Sequence, residues 1–146
     1  MGKSQRKDTD YESVYALDKE KREFEKDIGW FGKYCFPTAL AKDTPSFHRD
    51  IYKNLKDDST KRVLIAAPRG TAKSTVCSLI FPLYKIAYKK PTEDLFIVVV
   101  SESQAQSVNF LSRIKYHLEH SENFRQIFGD FSSKTARRWT GADIIL

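Results

Sequence analysis

Apolar residues in this chain recur at every third or fourth position over several stretches, and in a few places they run together unbroken. Val14, Leu17, Phe24 and Ile28 form a sparse stripe through the closely mixed charges of Asp18 to Lys26. That pattern predicts an exposed helix from about Tyr11 to Lys33, docked along one narrow face. The turn Asp43-Thr44-Pro45-Ser46 ends in a good N-cap, and Phe47, Ile51 and Leu55 follow at fourfold spacing, so a short amphipathic helix is expected over 46–56. Val76, Leu79, Ile80, Leu83 and Ile86 mark another over about 73–88, with Pro82 as a kink or an early stop. Val108, Leu111, Ile114 and Leu118 mark a third, capped by Ser101 or Ser103, and Phe124, Ile127 and Phe128 a short helical piece before Gly129.

The unbroken runs read differently. Arg62-Val63-Leu64-Ile65-Ala66-Ala67 and Leu95-Phe96-Ile97-Val98-Val99-Val100 have the composition of strands buried on both faces of a sheet. Strand, helix, strand, helix in that order predicts an α/β fold, a parallel sheet flanked by helices. The chain stops at Leu146 within the apolar run Ile144-Ile145-Leu146, and the expectation is of a truncated, incomplete sheet. The predicted organisation is a disordered basic tail over 1–9, an N-terminal helical segment over 10–60 and a partial core over 61–146.

Composition narrows this picture. With 146 residues, 40% of them hydrophobic, the chain can bury one ordinary core. It has neither the roughly 20 consecutive apolar residues of a membrane span nor the apolar core of a signal peptide, so a soluble, cytoplasmic protein with no membrane partner is expected. Cys35 and Cys77 lack metal-ligand spacing and read as free thiols. The net charge of +6 favours a polyanionic partner. Lys85, Lys89, Lys90, Lys134, Arg137 and Arg138 would serve a non-catalytic nucleic-acid-binding protein, although a solvated face is the preferred explanation for them.

The chemistry concentrates in residues 67–75. A phosphate-binding loop needs converging backbone N–H groups, a residue tolerant of positive φ, a lysine and a hydroxyl for magnesium. Against the pattern G-x-x-x-x-G-K-[ST], the chain offers Ala67, Pro68, Arg69, Gly70, Thr71, Ala72, Lys73 and Ser74, followed by Thr75, with alanine at both outer glycine positions. Placement between an apolar run and an amphipathic helix supports the match. Lys73 is expected to contact the β- and γ-phosphates, Ser74 to ligate Mg²⁺, and Arg69 to stabilise the transferring phosphoryl group. A cation at a helix start opposes the dipole unless an anion is present, which argues against Lys73 being merely a solvated lysine.

Residues 67–75 resemble the variant Walker A loop of bacteriophage terminase large subunits, the DNA-packaging ATPases, in which an arginine within the loop is familiar. The segment Phe47-His48-Arg49-Asp50-Ile51-Tyr52 sits where these ATPases carry an adenine-contacting motif, and Val100 to Gln106 resembles the strand-and-helix motif that follows. The resemblance implies a P-loop NTPase fold, ATP and Mg²⁺ as cofactors, and a base-contacting role for His48 or Arg49. It also implies double-stranded DNA, a portal protein and a small terminase subunit as partners, with homo-oligomerisation in the full motor. A helicase-like ATPase shares the same loop. A Walker B carboxylate is not evident: Ser101 stands where the aspartate belongs, and Asp143 precedes its apolar run instead of following it. Triphosphate binding with little independent turnover is therefore expected.

Overall fold

A computed structural model of the chain describes residues 5–41, 44–59, 61–90 and 92–146, with side chains from Tyr15 onward. The N-terminal half is three helices: α1 at Gln5–Lys26, α2 at Ile28–Cys35 and α3 at Ser46–Lys56. The first begins inside the stretch expected to be a disordered tail, while residues 1–4 lie outside the described ones. The single helix expected up to Lys33 is instead two. Asp27 interrupts it, because its carboxylate accepts from Gly29 N at 2.8 Å and Trp30 N at 3.1 Å and so caps a new helix. Glycine at position 29 lets α3 approach closely, since a Cβ there would sit 2.7 Å from the Tyr52 ring.

One helical run then continues from α4, Lys73–Thr75, through a π-helical stretch at Val76–Ile80 into α5, Phe81–Ala87. Pro82 neither stops nor breaks it. A proline has no N–H for the preceding turn, and the widened turn just before it, with Phe81 N–H on the Val76 carbonyl, absorbs the mismatch. Downstream come α6 at Gln104–His120, capped by Ser103, and α7 at Glu122–Phe128, ended by Gly129 at φ 93°.

The core is helical and aromatic. Phe31 is fully buried, and the rings of Tyr84, Phe36 and Phe128 meet it edge-on at centroid separations of 5.5, 5.6 and 5.8 Å. Phe24, Leu79, Ile80, Leu83, Leu118 and Phe124 complete the same cluster. The hydroxyls of Tyr84 and Tyr88 donate to the carbonyls of Glu25 and Lys21 at 2.7 and 2.6 Å, tying α5 to α1.

The expected parallel α/β sheet is contradicted. Among the described residues the only sheet is an antiparallel pair, β1 at Arg138–Trp139 and β2 at Ile144–Ile145, with Arg138 opposite Ile145 and Trp139 opposite Ile144. Residues 62–67 and 95–100, read as core strands, are neither strand nor helix and enter no backbone ladder. Leu64 and Phe96 are 96% and 88% exposed, and of these runs only Ile65 packs against the core, from its edge. The physical reason is that a strand exists only through a neighbour. β-branched composition measures fitness for a pleated surface, and here the aromatic helices fill the interior without one. No described helix is long and apolar enough to cross a membrane.

Candidate phosphate-binding loop

The loop from Pro68 to Ala72 joins the exposed run 62–67 to the long helical segment beginning at Lys73. Two positive-φ residues shape it: Gly70 at φ 82° and Ala72 at φ 56°, ψ 17°. Gly70 has open space around it, so its requirement is conformational and not steric. Ala72 is the sole non-glycine residue with positive φ among those described, and it occupies the position of the second signature glycine. The left-handed region costs an L-residue about 1–2 kcal/mol, and such a conformation persists only where its surroundings over-determine it.

Those surroundings are visible. Thr71 Oγ1 donates to the Pro68 carbonyl at 2.8 Å, and Lys73 Nζ reaches the same oxygen at 3.5 Å. Val76 N–H donates to the Ala72 carbonyl at 2.9 Å, starting the helix. From α3, the imidazole Nε2 of His48 lies 2.6 Å from the Thr71 carbonyl. A carbonyl only accepts, so Nε2 carries the proton.

The other side of the loop is unsatisfied. From Arg69 through Thr75 no backbone N–H has a protein acceptor among the described residues. Arg69 is exposed and Lys73 half-buried, and neither pairs with a described carboxylate. Successive N–H groups without acceptors, beside two cations without carboxylate partners, are the features that an anion-binding loop requires. Ser74 is exposed at its rim and its hydroxyl has no described partner, which leaves it available to a phosphate-borne Mg²⁺. The described residues contain no cluster of three or more His, Cys, Asp or Glu suited to holding a metal by themselves. One turn beyond Lys73, half-buried Cys77 has its thiol pushed up by burial, with the Lys73 charge pulling it partly back.

Not every expected site residue belongs to this loop. His48 is 4% exposed and hydrogen-bonded to the loop backbone, with its ring packed on Phe47 and near Tyr52. Arg49 faces elsewhere, into a cavity of about 420 Å³ with Lys53, Lys56, Asp27 and Tyr52, and no loop residue lines that cavity. Nor does any residue of 67–75 line the larger cavity of about 1190 Å³ enclosed by α1, α5 and residues 95–98. Ser101 bonds Gln106 Oε1, and Asp143 is held in the β1–β2 hairpin by Thr140 and by Arg138 at 3.2 Å. Those hydrogen bonds hold the Asp143 carboxyl below its usual range, and its partners are structural.

The burial of α3 shows what the spacing argument missed. Of the expected stripe, Ile51 is buried and Leu55 packs against the core, but Phe47 is 38% exposed and His48 and Tyr52 face inward instead. A histidine at i with apolar groups at i+3, i+4 and i+7 was the available signal. Compared with known protein families, with curated proteins and with solved structures, this chain matches none.

Proposed function

We propose that residues 68–75 bind the phosphates of a nucleoside triphosphate, ATP with Mg²⁺. The observation that carries this reading is the run of unsatisfied amides from Arg69 to Thr75, set beside two cations without carboxylate partners. The amides from Gly70 to Ser74 receive phosphate oxygens, Lys73 lies over the β- and γ-phosphates, and Arg69 neutralises the terminal group. Bound Mg²⁺ would supply charge neutralisation to the triphosphate, with Ser74 as its protein ligand.

On the resemblance of residues 67–75 to terminase loops, the activity served is packaging of double-stranded DNA, with a portal protein, a small terminase subunit and further copies of the large subunit as partners. Support for that step comes from the loop sequence and the net charge of +6 alone. A Walker B carboxylate is not evident in the sequence, where Ser101 stands in the aspartate's place and Asp143 precedes its apolar run, so we propose binding without substantial hydrolysis by this chain. Calorimetric titration with Mg·ATP tests the site: Lys73→Ala is expected to abolish saturable binding, and an unchanged affinity in that variant would overturn the assignment.

A further inference from the structure

The buried histidine on α3 does more than fill space. Its Nε2 grips the Thr71 carbonyl at 2.6 Å across 23 residues of sequence, and the side chain is 4% exposed. The chain contains no cis peptide bonds among the described residues, and in a trans peptide the C=O and the following N–H point in opposite directions. A Thr71 carbonyl drawn inward to His48 therefore turns the Ala72 N–H outward, on the exposed side of the loop. That N–H has no acceptor among the described residues. The same peptide leads into the left-handed Ala72, the conformation most in need of an external hold.

We infer that His48 is a positioning residue for the phosphate-binding loop: its Nε2–H fixes the Thr71–Ala72 peptide so that the Ala72 N–H faces the anion. This rests on the phosphate-binding reading of residues 68–75, and it gives His48 a role through the loop backbone and not through contact with a base. Without the clamp the peptide is free to rotate. The amide then leaves the row that Gly70 and Lys73 continue on either side, and the anion loses one of its donors.

Two polar replacements isolate the position of the donor from burial and polarity. His48→Gln keeps an N–H near the place of Nε2, whereas His48→Asn draws it back toward the place of Nδ1. Binding of inorganic tripolyphosphate with Mg²⁺ is measured for the wild type, Lys73→Ala and both His48 variants, with circular dichroism to establish folding. The expected result is affinity within about threefold of wild type for Gln and a loss of about tenfold for Asn, the size of one missing hydrogen bond to a charged group. Trypsin cleavage after Arg69, read without ligand, should accelerate in the Asn variant and not in the Gln variant. If Asn does not fold, His48→Met keeps the volume without a donor and takes its place with the same expectation.

Equal affinity of the donor-displaced variant and the wild type overturns the positioning role, as does an equal loss in both variants, while leaving the phosphate site standing. Failure of the wild type to bind, or indifference of binding to Lys73→Ala, overturns the phosphate site itself and the positioning role with it.

Discussion

Glycine at position 72 should make this protein more stable, although the substitution removes a methyl group and adds no contact. Ala72 sits at φ 56°, ψ 17° directly before Lys73. Holding an L-residue in that region costs about 1–2 kcal/mol, a cost glycine does not bear. Against this, glycine has more freedom in the unfolded chain, which returns about 0.4–1 kcal/mol. Ala72 is exposed, so no core packing is lost. The net gain expected for Ala72→Gly is about 0.5–1 kcal/mol. With a urea slope of about 2 kcal/mol per molar, the unfolding midpoint should rise by about 0.3–0.5 M, with the slope itself unchanged. Urea denaturation followed by circular dichroism measures both. A midpoint equal to or below that of the wild type would refute the left-handed assignment of Ala72, and with it the over-determined loop.

Two further outcomes test the fold around the loop. Phe31→Ala removes the ring at the centre of the aromatic cluster and should lower stability by about 3–5 kcal/mol; a loss under about 1.5 kcal/mol would show that this cluster is not the core. His117 is half-buried against Phe36, and burial, with the Arg113 charge adding to it, lowers its imidazole below the ordinary 6.5. The unfolded chain therefore binds this proton more readily than the folded one. Its contribution is intact above about pH 7 and is lost as the pH falls through 6.5 toward the folded value, complete below it. His117→Gln should flatten stability across that window, and an unaltered pH profile would exclude His117 as its source.

The helices were legible because their signals are local. The Ser103 cap of α6 and the Gly129 stop of α7 follow from side chains within one turn of the event they mark, and α3 spans the expected 46–56, although Ser46 is its first residue and Pro45 holds the cap position with no side-chain hydrogen bond. The break at Asp27 was missed because the charges of Asp18 to Lys26 read as one continuous helical surface, which hid the capping carboxylate that follows directly after them. The sheet was not legible for a deeper reason. Val63 to Ala67 and Leu95 to Val100 have strand composition, but pairing is a property of two segments, and no pattern within one reports whether the other lies beside it. At the loop, the positions of Gly70, Ala72 and Lys73 were readable from the motif spacing. Ala72 adopting the left-handed geometry of the glycine it replaces is a structural finding. The inward turn of His48 was signalled by the apolar groups three, four and seven positions on, but its bond to the Thr71 carbonyl was not readable, since that partner lies 23 residues away in sequence.

The most direct test of the central claim is to map where a triphosphate touches the chain, and at 16.9 kDa the protein suits residue-resolved amide spectroscopy. Titration of the ¹⁵N-labelled chain with Mg·ATP should move the amide signals of Gly70, Thr71, Ala72, Lys73 and Ser74 first and furthest, saturating together, with no such response in Lys73→Ala. Saturating shifts centred instead on Arg49, Lys53 and Lys56, with the loop amides unmoved, would contradict it.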